Sequence, residues 1–382
     1  MIGAIIAEYN PFHKGHLLHI NKTLENTNCT DLICIMSGNF VQRGEPALFN
    51  KHIRCEMALK NGIDMVIELP VEYATSSADA FAFGAIDILN KSNIIDYLSF
   101  GSEIGNLNEL KKITYLLSNE NEEYKAILKM YSAVNSYATA RSKAISKYLD
   151  INEDILKASN NILAIEYLTA LNKTKSKIIP YTIQRYVNNY NQNELTGSIS
   201  SATSIRNNIL NEPELALNSI PANCHSYYNI KKIPTLDDYS DILKYILLNN
   251  SAEYLKNIAD ITEGLENRIY NNWSFNNISQ LLDNIKTKRY TYSKLKRALL
   301  HIILNVKKED QFKEIQYIRV LGYKKEKSYL LNKLINNSVV PVILNVKDNE
   351  KLLKKEIYST DMYNICNNLP LGMEYKQPII KI

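Results

Sequence analysis

No stretch of the 382-residue chain is apolar for long enough to cross a bilayer. The longest runs, such as Ile2–Ala7 and Ile302–Leu304, fall far short of the ~20 residues a span requires. The N-terminus lacks a basic leader and a small-residue cleavage site and enters directly into Met1-Ile-Gly-Ala-Ile-Ile-Ala-Glu8, which does not read as a signal peptide. Cysteine is sparse: Cys29, Cys34, Cys55, Cys224 and Cys366 are odd in number, scattered and without a C-x-x-C pair. That pattern argues against a disulfide framework or a structural zinc site and leaves reduced, buried thiols. A marked excess of one charge is also missing, since 45 basic residues against 40 acidic ones give only +5. So mild a balance demands no polyanionic partner, and what counts is where the charge sits. No internal repeat is visible. The expectation is a soluble, cytoplasmic protein. With 45% hydrophobic residues a core is available, which excludes intrinsic disorder, and the length predicts two domains or three.

What is there is alternation. Short apolar, β-branched runs at Ile2–Ala7, Asp31–Met36, Asp64–Leu69 and Ile95–Phe100 are separated by helical patterns at Gly15–Leu24, Lys51–Asn61 and Ser77–Asn90. Near-continuous apolar strands between helices predict βαβ units and a doubly wound parallel sheet covered on both faces. Asn106–Asn172 reads as a helical insertion, and Lys177–Ile183 as the fifth strand of the sheet, followed by a helix at Ser201–Leu210. After Pro221 the pattern becomes helical, with helices expected at Asp238–Leu248, Ser251–Ile258, Glu263–Tyr270, Phe275–Ile285 and Ser293–Leu304. A small α/β tail follows, with strands at Ile315–Leu321 and Val339–Leu344. The expected division is a domain at 1–225 carrying the insertion (about 106–172) and a mainly helical domain at 226–382.

Two segments carry chemistry. The first strand runs into Glu8-Tyr-Asn-Pro-Phe-His13-Lys-Gly-His16 and then a helix. This strand-to-helix turn lies at the carboxyl end of a central strand, where open α/β sheets bind ligands. Gly15 admits close backbone approach, the helix N-terminus offers unpaired N–H groups, and His13 and His16 share a face from which both could bond a phosphoryl group. The plainer alternative is a pair of surface or metal-ligating histidines. The second segment, Gly197-Ser-Ile-Ser-Ser201-Ala-Thr203-Ser-Ile-Arg206, combines hydroxyl residues at a helix start with an arginine, either an anion site or an ordinary cap with a solvated Arg.

H-x-G-H after strand one and I-S-S-x-T-x-I-R after strand five resemble the nucleotidylyltransferase superfamily with the HIGH-type signature. Ala7–His16, Met36-Ser-Gly-Asn-Phe-Val-Gln-Arg-Gly-Glu-Pro46, Phe100-Gly-Ser-Glu103 and Asn161–Tyr167 are together similar to the bacterial tRNA(Met) cytidine acetate ligase family. More loosely, so are Thr287–Tyr292 and Tyr317–Gly322. The resemblance implies a nucleotidylyltransferase-like Rossmann fold and a two-step reaction. Acetate and ATP, accompanied by Mg²⁺, give acetyl-adenylate and pyrophosphate. N4 of the wobble cytidine of elongator tRNA(Met) then takes the acetyl group and AMP leaves. Carried onto this sequence, His13, His16 and Arg206 are the catalytic residues. The ATP contacts fall on Ala7, Glu8, Tyr9, Asn10, Pro11, Phe12, Lys14, Gly15 and Ile20, then Gly101, Asn161, Arg185, Ser201 and Thr203. No metal ligand set is carried over. Without the resemblance, Gly101 could be a turn glycine, Asn161 a helix cap and Arg185 a surface charge.

The loop at Ser37–Pro46 is rich in turn residues and is expected to shape the second substrate's pocket, with Arg43 a contact for a carboxylate or RNA. Lys51 and Arg54 read as phosphate contacts or a solvated face. In the C-terminal half, Lys286, Lys288, Arg289, Tyr290, Lys294, Lys296 and Arg297 lie in a run with no acid; with Tyr292 they predict an RNA-binding surface, the alternative being a solvated helix face. Lys324, Lys325 and Lys327 could extend it. Neither DNA nor a membrane is expected as a partner. The other readings are an adenylyltransferase acting on a small phosphorylated metabolite and a non-catalytic RNA-binding protein. The first leaves some 150 residues without a purpose, and the second predicts damaged phosphate residues, whereas His13, His16 and Arg206 are in place.

Overall fold

The structure, a computed structural model, describes residues 1–135, 137–185, 200–262 and 264–382. Its strands in chain order are β1 (Ile2–Ala7), β2 (Asp31–Ser37), the short hairpin β3 (Phe40–Val41) and β4 (Glu45–Pro46), β5 (Met65–Leu69), β6 (Tyr97–Ser102), β7 (Ile179–Gln184), β8 (Ile318–Tyr323), β9 (Val342–Ile343) and β10 (Ile380–Lys381). Side chains on the central strands alternate between two buried faces. In β2, Ile33 and Ile35 enter the core shared with the helix at Ala78–Ser92, while Leu32, Cys34 and Met36 enter the core under α1 (Lys14–Thr27) and α2 (Lys51–Lys60). A strand covered on both sides needs an apolar residue at every position, which is why these strands are near-continuous apolar runs in the sequence.

The order across the main sheet is β10-β8-β5-β2-β1-β6-β7, with β9 also paired to β8. The five expected strands, β1, β2, β5, β6 and β7, run parallel. From β1 the chain moves outward to β2 and β5, then returns to lay β6 and β7 on the other side of β1. The carboxyl ends of β1 and β6 therefore border the switch-point crevice where open α/β sheets take ligands. The tail's strands do not form a small element of their own. β8 pairs antiparallel to β5, and β9 and β10 pair parallel to β8, so the end of the chain extends the main sheet. A strand's own pattern says that it is buried but not which neighbour it joins.

The insertion folds as helices at Leu107–Ser118, Glu122–Ser132, Tyr137–Leu149 and Ser159–Lys173, the last packing on the sheet beside Ala78–Ser92. The later helical region has its own core, with Leu243, Leu265, Ile278, Leu281, Leu295 and Leu299 buried together. That core also takes in Phe40 of the β3–β4 hairpin, Val71 and Tyr363. The expected helix at 263–270 spans Leu265–Tyr270, and Glu263 lies outside the described residues. A helix at Lys354–Cys366 had no clear apolar stripe to announce it. The cysteines are free, four of them buried. No helix among the described residues is long and apolar enough to cross a membrane.

Candidate active site at the carboxyl edge of the sheet

The turn after β1 is fixed by a reciprocal bond between two histidines. His13 is the N-cap of α1: its Nδ1 accepts from the Gly15 N–H at 3.0 Å, while Nδ1 of His16 accepts from the His13 N–H at 3.2 Å. The rings stack with centroids 3.7 Å apart. An imidazole that accepts at Nδ1 is neutral and carries its proton on Nε2. Burial enforces neutrality, pushing His13 down to about 3, with Arg185 and Arg206 adding to the effect; His16 is likewise held well below the usual histidine value by burial and by His13. Neither Nε2 has a protein partner among the described residues, and neither is sealed in the interior. Both rings are thus locked as Nε2–H donors.

The expectation of free N–H groups at the start of α1 is corrected. Lys14 N–H bonds the Ser219 carbonyl at 2.8 Å, Gly15 N–H bonds His13 Nδ1, and His16 N–H bonds the His13 carbonyl at 2.9 Å. A third histidine, one turn further along the same face, escaped the sequence reading although the three-residue period could have found it. His19 Nε2 lies 3.0 Å from Ser99 Oγ of β6, which in turn bonds Thr23. Tyr9, Phe12 and Ile20 place their side chains in the core, the Tyr9 and Phe12 rings packing against the His16 imidazole with centroids 4.9 and 5.6 Å away.

Arg206 arrives from the helix Ala202–Asn208. It donates to the Asn10 carbonyl at 2.5 Å and to Thr203 Oγ1 at 3.4 Å, and lies 3.9 Å from Glu45. Arg43 of the hairpin turn reaches the same Thr203 hydroxyl at 3.5 Å. Ser201 caps that helix by accepting from Ser204 N–H at 3.0 Å, and Gly197–Ile199 lie outside the described residues. Glu8, at the end of β1, accepts from the Gln42 N–H at 2.9 Å. Asn10 accepts from the Leu48 N–H at 2.7 Å, so the hairpin loop is tied to the histidine turn at both its ends.

Across β6 the same economy appears. Asn161 is buried, its Oδ1 accepting from the N–H groups of Glu103 (2.9 Å) and Ile104 (3.2 Å) while its Nδ2 donates to Ile155. Glu103 answers by accepting from Asn160 Nδ2 at 2.7 Å and from the Asn161 N–H at 2.9 Å. Asn161 therefore shapes the loop after β6, and its polar atoms are spent on protein. Arg185 donates to Asn160 at 2.9 Å and lies across Gly101, where an added Cβ would stand 2.8 Å from the arginine Cδ. The close approach that Gly101 permits is made, in this structure, by an arginine stem.

Lys51 and Arg54 are neither phosphate ligands nor a solvated face. Lys51 is buried between Glu68 (2.6 Å) and Glu374 (2.5 Å), and Arg319 of β8 joins the same two carboxylates, which closes a four-charge cluster. Arg54 is fully buried and donates to the carbonyls of Glu8 (2.6 Å), Ser37 (3.0 Å), Phe49 (2.9 Å) and Gly38, clamping the ends of β1 and β2. The basic run is likewise mostly committed. Lys286 donates to the carbonyls of Thr287 and Tyr290, Lys294 to Thr262 (2.8 Å), Lys296 to Glu45 (2.5 Å) and Arg297 to Asp260 (2.8 Å). Tyr290 is buried in the wall of the neighbouring cleft, its hydroxyl donating to the Thr262 carbonyl at 3.3 Å. Lys288 and Arg289 are exposed and line a cleft of about 680 Å³ with Asn267, Asn271 and Asn272. Lys324 and Lys327 pair with Asp64 and Asp31. Among the described residues no group of three or more His, Cys, Asp or Glu side chains could hold a metal ion.

A family model described as HIGH nucleotidyl transferase matches residues 1–377. Among curated proteins, a tRNA(Met) cytidine acetate ligase of Thermoanaerobacter sp. (strain X514) is 42% identical, with 99% of each chain covered. One of Clostridium novyi (strain NT) is 42% identical over 96% of this chain and 95% of its own. Among solved structures, Thermotoga maritima TmcAL bound with alpha-thio ATP superposes with a TM-score of 0.89 at 29% identity, covering 100% of this chain and 99% of that one. The histidine turn, the switch-point crevice and full-length matches at this level agree: the chain belongs to the HIGH nucleotidyl transferase family and, within it, to the tRNA(Met) cytidine acetate ligases.

Proposed function

We propose that this chain is an ATP-dependent ligase that acetylates N4 of the wobble cytidine in elongator tRNA(Met) by way of acetyl-adenylate. The observation that carries the reading is the His13–His16 pair, whose mutual capping bonds leave two fixed Nε2–H donors at the mouth of the switch point. An acetate oxygen attacks the α-phosphorus of ATP, and pyrophosphate departs with the electron pair of the broken P–O bond. Charge builds on the phosphoryl oxygens, where preorganised donors act most strongly; one such donor is worth ~3 kcal/mol of barrier. His13 and His16 donate to the α-phosphate and the departing group, Arg206 and Thr203 engage the β- and γ-phosphates, and Lys14 and Arg185 add positive charge. Mg²⁺ would be carried on the triphosphate oxygens, in keeping with its usual coordination in nucleotide sites.

In the second step the amine N4 displaces AMP from the acetyl carbon. The exposed Lys288 and Arg289 are proposed to meet the RNA backbone, and Arg43 the acetate or the cytosine. The tRNA places the work in the cytoplasm. Purified protein incubated with labelled acetate, ATP, Mg²⁺ and bulk bacterial tRNA should place label in a cytidine nucleoside only when ATP is present. Label in small phosphorylated metabolites but never in RNA would overturn the reading.

A further inference from the structure

Transfer of an acyl group to a cytosine amine needs a base. The lone pair of N4 is delocalised into the ring, and the nitrogen becomes acidic only as it bonds to carbon, so a proton acceptor must stand beside it. Few groups around the crevice qualify. His13 and His16 already accept at Nδ1 and carry their protons on Nε2, so neither can take another without breaking the turn. His19 is engaged with Ser99. Of the carboxylates bordering the site, Glu45 lies between Lys296 at 2.5 Å and Arg206 at 3.9 Å. Glu103 spends both oxygens on Asn160 and Asn161.

Glu8 is different. It sits at the carboxyl end of β1, five residues before His13, and is half-buried. Its Oε1 accepts from the Gln42 N–H, which fixes the carboxyl plane, while Oε2 has no protein partner among the described residues and is not sealed off. Glu8 stands between the hairpin loop, which holds Oε1 through the Gln42 N–H, and the histidine turn, to which the same loop is tied through Asn10.

Building on the function proposed above, we propose that Glu8 is the general base of the acyl-transfer step. As N4 attacks the acetyl carbon, the C–N bond forms and the C–O bond to phosphate breaks. AMP leaves with the electron pair, and one N4 proton passes to Oε2 of Glu8 and on to solvent. The groups that face Glu8 are Arg43 from the hairpin, Arg54 from α2, Arg206 from the helix at Ala202–Asn208 and Tyr167 from the helix at Ser159–Lys173. The arginines favour the ionised form, yet burial outweighs them and raises Glu8 above the usual carboxylate range, which makes it a stronger acceptor than a solvated glutamate.

Two half-reactions separate this role from a structural one. Acetate-dependent ATP–pyrophosphate exchange reads adenylation, and single-turnover transfer from preformed acetyl-adenylate to tRNA reads the acyl step. Glu8→Gln should slow transfer by ~100-fold or more and flatten its rise with pH, a loss at least ~10-fold greater than the one it causes in exchange, to which Glu8 contributes as an ATP contact. Glu8→Asp, which keeps a carboxylate, should restore part of the transfer with a displaced pH midpoint. Equal losses in both half-reactions, or transfer in either variant with the wild-type pH profile, would overturn the assignment. Absence of acetate-dependent exchange in the wild type would instead strike the underlying adenylation reading.

Discussion

The histidine turn after β1 and the basic run at 286–297 are both dense in polar groups, but the fold treats them in opposite ways. At the turn, side-chain nitrogens are spent on the local backbone so that the remaining donors point outward in one fixed tautomer. In the basic run most of the charge is spent inward: Lys286, Lys294, Lys296 and Arg297 hold carbonyls, a hydroxyl and two carboxylates of their own chain, and only Lys288 and Arg289 of the named residues stay free for a partner. A motif anchored to a strand end carries orientation with it. A charge run carries none, and burial decides which members are ligands.

The two regions also differ in how they should fail. The largest effect belongs to the buried cluster of Lys51, Glu68, Arg319 and Glu374. Lys51→Met leaves Glu68 and Glu374 sharing Arg319 alone, with one buried negative charge uncompensated, and should cost ~3–5 kcal/mol, read from the denaturant midpoint. His16→Ala should slow acetate-dependent ATP–pyrophosphate exchange by ~100–1,000-fold while leaving tRNA retention on a filter near wild type. Gly44→Ala attacks the seam between the regions: φ there is +73°, and the new Cβ would stand 2.6 Å from the Arg297 backbone nitrogen, so a loss of ~1–3 kcal/mol in thermal or chemical unfolding is expected.

The smallest effects sort the basic run. Lys288→Glu with Arg289→Glu should lower the slope of log affinity for tRNA against log salt by ~2. Lys296→Met should leave that slope unchanged and cost less than ~1 kcal/mol of stability, because its ion pair with Glu45 is about one-third exposed. If Lys296→Met flattens the slope instead, the inward and outward members have been confused.

Acid should weaken the histidine turn. His13 and His19 have folded values near 3 and 4 against about 6.5 unfolded, and His16, His52 and His301 shift the same way. The unfolded chain therefore binds protons first, and stability falls as pH drops from about 6.5 towards 4. Denaturant midpoints at pH 7.5 and 5.0 should show the loss, and His19→Gln should reduce it.

Much of this was legible beforehand because it is periodic or punctuated. Strands buried on both faces announce themselves as apolar runs, and His13 and His16 stand where a strand must turn into a helix. What stayed hidden depends on contacts distant in sequence. Nothing about Arg54 distinguishes it from a solvated lysine-rich helix face until the ends of β1 and β2 converge on it. Glu374 and Arg319 reach Lys51 only because β8 pairs with β5, which no local pattern specifies. Asn161 and Glu103 both stand in segments that resemble the family, but only their mutual bonds explain why the loop after β6 needs the pair.

In the proposed mechanism the Nε2–H donors of the histidine turn carry out adenylation independently of the RNA surface. Acetate-dependent ATP–pyrophosphate exchange, measured without tRNA in the wild type, His16→Ala and the Lys288→Glu/Arg289→Glu double variant, tests it most directly. The wild type and the double variant should exchange robustly, and exchange should collapse in His16→Ala. Exchange that survives His16→Ala, or that disappears with the two surface charges, would contradict it.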